Sequence, residues 1–242
     1  MTVARDRSVV ERDDHPTTFA ELFERAAGYD VDEDAIRSVL AERRTGTRNR
    51  SDDGGGGEGP DDDGDRDDRD AESDRDTTGP AGSNVTGRPD PSPARVVADA
   101  DVLAADLLVG GDARAALDVL RSHSWTTLVA SDALLADATA VIASVADEGL
   151  AADWRRTISR WREPVDHPAG DHPALASAYR GGAMQVVTLD PSLTGARTAA
   201  GLRKRLPVSV RDPHAFAAVF SPERLYPSAV GGSYPGPDRE PR

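Results

Sequence analysis

Residues 171–190 read DHPALASAYRGGAMQVVTLD, and this stretch decides the fold. Its first half, residues 171–180, has the small apolar residues and the spacing of a short helix. Its second half, residues 184–189, is an apolar run of strand length that ends at Asp190. A helix followed at once by a continuously apolar strand is typical of a parallel sheet with both faces covered.

Similar apolar runs lie on both sides of this stretch. They predict strands at 95–98, 126–130 and 207–210, and segments with helical spacing lie between them. Strands that alternate with helices in this way form a parallel sheet covered by helices. We therefore predict a three-layer α/β/α domain with a parallel central sheet over residues 94–227.

Ahead of this domain the sequence predicts a small helical hairpin at residues 17–44. Thr18 and Glu21 have the spacing of a capping box at the start of one helix, and Asp30 and Glu33 repeat it at the start of a second. Helices this short are marginal in isolation. The hairpin is therefore expected to dock on the main domain, on a second copy or on another protein, and the sequence does not choose among them.

Most of the negative charge lies between the hairpin and the domain. Residues 51–76 hold thirteen acidic and three basic side chains and no aliphatic residue larger than alanine. Such a segment buries too little apolar surface to offset its ordering entropy. We predict a disordered acidic linker at 45–93 and disordered termini at 1–16 and 228–242. The net charge of −14, with one lysine among 29 basic residues, indicates a halophilic cytoplasmic protein.

Composition excludes several classes of function. The absence of cysteine excludes disulfides, thiolate metal sites and a cysteine nucleophile. A glycine-rich phosphate-binding loop does not follow any predicted strand. Because no apolar run approaches the ~18 residues of a membrane span, we expect no contact with a membrane.

Acidic residues lie at or near the carboxyl ends of the predicted strands, the edge at which parallel sheets bind ligands. Asp99 and Asp190 each directly follow a predicted strand, Asp137 lies on a helix, and Asp171 begins the helix that leads to the Asp190 strand. Two carboxylates 4 Å apart repel by roughly 4 kcal/mol at an effective dielectric near 20. Four convergent acids would thus need protons or a cation, and hard oxygen ligands favour Mg²⁺ or Mn²⁺. Taken singly, each acid could equally be a helix cap or a turn residue.

Four segments in order resemble the PIN domain, a family of metal-dependent nucleases. They are VVADADVL, SDALLAD, the opening stretch and PVSVRDPHAFAAVF. The third is the most telling, because PIN domains typically have an Asp, a helix rich in small residues, a Gly-Ala turn, an apolar strand and then Thr-x-Asp. Here these are Asp171, residues 174–178, Gly182–Ala183, Val186–Val187 and Thr188–Leu189–Asp190. The resemblance covers about 130 residues.

The resemblance implies a Mg²⁺- or Mn²⁺-dependent endoribonuclease that hydrolyses phosphodiester bonds of RNA, in a toxin or an RNA-processing role. It carries four residues over as catalytic metal ligands and two as supporting residues: Asp99, Asp137, Asp171 and Asp190, with Asp101 and Thr188. Asp137 stands where the family commonly has Glu, and Asp101 where it often has Asn. The family also often forms dimers, so a homodimer is expected.

Basic residues are the candidate contacts for RNA phosphates. Those predicted are Arg155, Arg156, Arg203, Lys204 and Arg205. The alternative for each of them is a solvated helix face. The alternative for the whole chain is a non-catalytic scaffold of the PIN fold that binds a protein partner through its hairpin.

Overall fold

The computed structural model describes residues 16–52 and 88–241. The predicted disordered N-terminus lies outside these residues except for Pro16, and so does most of the predicted linker, residues 53–87. Within the described residues the chain is an α/β protein built on a five-stranded parallel sheet, which confirms the predicted fold class.

The strands lie side by side in the order β3-β2-β1-β4-β5, and all neighbours are parallel. Their bounds are β1 Ser92–Ala98, β2 Thr127–Ser131, β3 Glu163–Val165, β4 Ala183–Val187 and β5 Ser209–Arg211. The order reverses between β1 and β4, where Val97 pairs with Val186. In open parallel sheets, ligands bind beyond the carboxyl ends of the strands at such a reversal.

Helices connect the strands and pack against the sheet and one another. Their bounds are α1 Phe19–Ala26, α2 Glu33–Asp52, α3 Ala100–Leu108, α4 Gly111–Arg121, α5 Asp132–Val145, α6 Glu148–Trp161, α7 Pro173–Gly181, α8 Pro191–Thr194, α9 Ala196–Arg205, α10 Pro213–Val219 and α11 Pro222–Ala229. The helix α7 lies against β1, β2 and β4, while α3 packs between α4 and α5. No helix of the described part is both long enough and apolar enough to cross a bilayer.

The helical hairpin docks on the main domain. Its helix α1 packs on α6 and α3, and α2 packs on α5 and α3. Leu22, Ile36 and Leu40 of the hairpin are buried in the same apolar core as the sheet. The capping box of Thr18 and Glu21 forms as predicted. Of the three docking partners that the sequence left open, the structure therefore shows the main domain.

Two predicted boundaries were wrong. Helix α2 runs to Asp52, so residues 45–52 are helical although they were assigned to the linker. The end of the chain is also ordered, since α11 extends to Ala229 and the tail beyond it packs on the end of α4. The reason is aromatic burial, because Tyr234 lies against Tyr226 and its hydroxyl is 2.6 Å from Nε2 of His123.

Candidate active site

Predicted site residues meet at the reversal of strand order. Asp99 directly follows β1 and caps α3, because its carboxylate accepts a hydrogen bond from the backbone N–H of Ala100. Thr188 directly follows β4, and its side chain is fully buried. The backbone N–H of Asp99 donates to the carbonyl of Val187 across the two strands at 2.8 Å. The sheet thus fixes the spacing between the two strand ends.

Asp99, Asp101 and Thr188 form a buried polar cluster. The Thr188 hydroxyl lies 3.1 Å from Oδ2 of Asp99 and 3.3 Å from Oδ2 of Asp101. Backbone N–H groups of Val102 and Leu189 also donate to Asp101, at 2.6 and 3.0 Å. Burial raises the pKa of Asp101 well above its usual value, and the negative charge of Asp99 raises it further. Two buried carboxylates this close together need either a proton or a neighbouring positive charge.

Arg44 of the hairpin supplies that charge. Its Nη2 donates to Oδ1 of Asp99 at 2.7 Å, and its Nη1 lies 3.5 Å from Oδ2. The Arg44 side chain is 19% exposed, and that of Asp99 is fully buried. Burial lowers the pKa of Arg44, but the charge of Asp99 and the hydrogen bond to it outweigh burial, so the pKa is raised. The guanidinium therefore stays charged in this position.

Asp137 on α5 belongs to the same group. Its Oδ1 accepts a hydrogen bond from Nε of Arg43 at 2.8 Å, and its Oδ2 lies 3.9 Å from Nε of Arg44. Two consecutive arginines of α2 thus contact carboxylates that come from two different elements of the main domain.

Asp190 and Asp171 lie in clefts on either side of Arg44. Asp190 caps α8 through the backbone N–H of Ser192, at 2.8 Å, and lines a cleft of about 170 Å³ with Arg44 and Asp101. We call this the Asp190 cleft. Asp171 is exposed and lines a larger cleft of about 410 Å³ together with Arg43, Arg44 and Asp137.

The larger of the two spaces is the Asp137 cleft. All six predicted site residues therefore reach this edge of the sheet. Asp171 is the most peripheral of them, because its carboxylate makes no hydrogen bond or ion pair with the residues that the structure describes.

Hard oxygen ligands are plentiful at this edge. Asp99, Asp101, Asp137 and Asp190 offer carboxylates to one region, and such ligands suit Mg²⁺ or Mn²⁺. Arg44 already places one positive charge beside Asp99 and Asp137. In the arrangement seen here, however, no three acidic or histidine side chains within 16–52 and 88–241 are placed to share a metal ion. The donor chemistry fits a divalent cation, while Arg43 and Arg44 occupy the carboxylates of Asp99 and Asp137.

His172 also lies at the site, although it is not among the predicted site residues. It precedes α7 and lines the Asp137 cleft, and neither ring nitrogen has a hydrogen-bond partner among the described residues. Burial lowers its pKa, and the charge of Arg44 lowers it further against the opposing effect of Asp99. Its position beside Asp171 in the chain was the available signal.

The predicted RNA contacts lie elsewhere or are engaged. Arg155 pairs with Asp132 at 2.7 Å, and Arg156 pairs with Asp153. Burial lowers the pKa of Arg155. The side chains of Arg203, Lys204 and Arg205 lie outside what the structure describes, although their backbone forms the end of α9.

Comparison with known proteins gives a family and no function. The model of a family of unknown function, DUF7384, matches residues 90–242. This range contains the sheet and all six predicted site residues, whereas helices α1 and α2 of the hairpin precede it. No curated protein and no solved structure matches the chain.

Proposed function

The chain belongs to DUF7384, a family of unknown function, and we propose that it is a Mg²⁺- or Mn²⁺-dependent ribonuclease of the PIN type. One observation supports this most directly. Two buried carboxylates that follow β1, those of Asp99 and Asp101, meet the Thr188 hydroxyl that follows β4 at the reversal of strand order, and Arg44 pairs with Asp99. Three of the four segments that resemble the PIN domain carry the acids of this edge, and the fourth closes the fold with β5 and α10.

In this proposal the four predicted ligands hold the metal, with Asp99 and Asp137 beside the arginines of the hairpin. Asp190 and Asp171 line the two clefts next to them. A bound divalent cation would activate a water and offset charge on the phosphate in the transition state. The Thr188 hydroxyl keeps the Asp99 carboxylate in place, and Asp101 holds Thr188 and the backbone after β4. Asp171 and the Asp137 cleft face solvent, which gives a phosphodiester strand access to the acids.

A cleavage assay tests the proposal. Single-stranded RNA is incubated with the full chain in high salt, with Mg²⁺, with Mn²⁺ or with a chelator, because we propose a salt-rich cytoplasm as its setting. We expect cleavage that requires the metal, and a loss on the order of 100-fold in Asp99→Asn and Asp190→Asn, as for other groups that act in the transition state. The homodimer implied by the resemblance stays a prediction that sedimentation of the full chain tests.

Asp147→Asn is the matched control. Asp147 caps α6 through the backbone N–H of Leu150 at 2.8 Å, and asparagine caps a helix about as well as aspartate. The same acid-to-amide change away from the site should leave cleavage unchanged. Cleavage that persists with chelator, or that survives both Asp99→Asn and Asp190→Asn, would rule out the proposed site.

The alternative is a non-catalytic protein of the same fold. The observation that favours it is the bidentate approach of Arg44 to Asp99, which neutralises the central carboxylate without a metal. On this alternative the hairpin is a permanent part of the fold, and its exposed face or the sheet edge binds a protein partner. It predicts no metal-dependent RNA cleavage and no Mn²⁺ binding, even when Arg43 and Arg44 are replaced.

A further inference from the structure

We propose that the N-terminal hairpin is a built-in competitor of the metal. The inference rests on the proposed function, because it takes the acidic cluster to be a metal site. Arg43 and Arg44 of the docked hairpin and a divalent cation would then be mutually exclusive occupants of Asp99 and Asp137. The docked hairpin keeps the nuclease inactive, and its release opens the site.

Arg44 occupies an oxygen atom that the divalent cation would use. Nη2 of Arg44 lies 2.7 Å from Oδ1 of Asp99, and a Mg²⁺ ligand oxygen would lie about 2.1 Å from its ion. Oδ1 also accepts the backbone N–H of Ala100 at 2.7 Å, so both of its lone pairs are engaged and an ion could bind Oδ1 only in place of Arg44. Positive charges at such a separation also repel strongly in a buried environment. One cation must leave before the other binds.

Two consecutive arginines act together in this contact. Nε of Arg43 donates a hydrogen bond to Oδ1 of Asp137 at 2.8 Å, while Arg44 lies between Asp99 and Asp137. Both residues also line the Asp137 cleft, so the docked helix α2 narrows the approach to the acids as well as neutralising them. The hairpin thus neutralises the carboxylates of the site and also restricts access to them.

The hairpin is held on the domain by its buried apolar side chains, by arginine–aromatic contacts and by ion pairs. Phe19 and Phe23 of α1 lie under the guanidinium groups of Arg121 and Arg114, at 4.3 and 3.8 Å from their ring centres. Arg25 pairs with Asp153 on α6. No strand of the sheet comes from the hairpin, so the sheet keeps all of its described pairings when the hairpin leaves.

The test measures metal affinity and hairpin position in the full chain. Mn²⁺ affinity is determined from the paramagnetic resonance signal of free Mn²⁺, for the wild type and for the Arg43→Ala/Arg44→Ala variant. Because the chain has no cysteine, dyes on Ser38→Cys and Ser144→Cys, exposed positions of α2 and α5, report the distance between these helices by energy transfer. Mg²⁺ is used for this measurement.

We expect the double variant to bind Mn²⁺ on the order of tenfold more tightly than the wild type, within the usual range of coupling between sites. Mg²⁺ should lower the energy transfer in the wild type as α2 moves away from α5. Glu42→Ala, an exposed change beside the two arginines, is the control and should leave both readouts unchanged.

Equal Mn²⁺ affinity in wild type and variant, or binding with unchanged energy transfer, would overturn the competition while leaving RNA cleavage as a separate result. Competition without RNA cleavage by any variant would overturn the ribonuclease and keep the regulated metal site. Absence of Mn²⁺ binding in both proteins would overturn both proposals.

Discussion

The guanidinium of Arg44 donates to the fully buried carboxylate of Asp99, a residue 55 positions later in the chain. The contact joins the hairpin to the end of the first strand of the sheet. Because Asp99 has no exposure, water cannot replace Arg44 as its partner while the hairpin stays docked. The stability of the folded protein and the occupancy of the site by a cation are therefore coupled through this one pair.

Arg44→Met should destabilise the protein by about 3 kcal/mol in metal-free buffer, because it leaves a buried carboxylate uncompensated. Asp99→Asn should recover most of that loss when combined with Arg44→Met, since the pair is then removed as a whole. Urea unfolding of the wild type, the two single variants and the double variant gives the coupling energy. If the single effects add up in the double variant, the pair does not compensate a buried charge.

A second arginine anchors the hairpin at its other end. Arg121 pairs with the buried Asp106, with Nη1 3.1 Å from Oδ1, and its guanidinium lies over the rings of Phe19 and Trp161. Burial raises the pKa of Asp106 against the opposing effect of Arg121. We expect Arg121→Ala to cost about 3 kcal/mol in unfolding free energy, because it leaves Asp106 buried without its cation.

Arg121→Ala should also loosen α1, which limited proteolysis of the hairpin measures independently of global unfolding. Arg224→Ala is the matched control, since Arg224 is exposed on α11. Its effect should stay within about 0.5 kcal/mol. If both variants show the same stability, Arg121 does not support the fold in the way that its contacts indicate.

Sequence patterns predicted the sheet well because its strands are continuous apolar runs. The position of Asp99 and Asp190 at strand ends also followed from the sequence, since parallel topology brings carboxyl ends to one edge. The strand β3 did not follow from it, because Glu163–Val165 is three residues long, contains a proline and gains its pairing from β2. The ordered tail was missed because its aromatic contacts are tertiary.

The arginines of the site could not be predicted from the sequence either. Arg43 and Arg44 are the last two residues of the predicted hairpin and lie on its polar end, where helix α2 continues to Asp52. Their role in the site depends on Asp99 and Asp137, which lie far away in the chain. No sequence pattern around those two residues indicates a contact with the hairpin. A contact of this kind depends on how two units dock, whereas hydrophobic periodicity predicts only the helices and strands within each unit.

Gly181 marks a close approach between α7 and the sheet. A Cβ placed there would lie 2.2 Å from Cγ1 of Val129, which is buried in β2. We expect Gly181→Ala to lower the free energy of unfolding by about 2 kcal/mol, because the helix must move away from the strand. Chemical denaturation of the purified variant measures this change.

Gly201→Ala is the contrasting substitution. Gly201 is an exposed position within α9, and nothing lies within 4 Å of a Cβ built there. Alanine should raise stability by about 0.5 kcal/mol because it is the better helix former. A loss in Gly201→Ala equal to that in Gly181→Ala would mean that Val129 is not the cause.

His172 should make the protein sensitive to mild acid. Burial lowers its pKa in the folded state, so below the usual value of 6.5 the unfolded chain takes up a proton that the folded chain resists. Stability contributed by the neutral ring is therefore present above pH 6.5 and is lost as the pH falls towards the lowered folded pKa. His172→Gln should remove this part of the loss. Thermal unfolding between pH 8 and about pH 5 measures it in both proteins, with His214→Gln as the exposed control at 80% side-chain exposure. If His172→Gln and the wild type lose stability in parallel over this interval, His172 is not the group responsible.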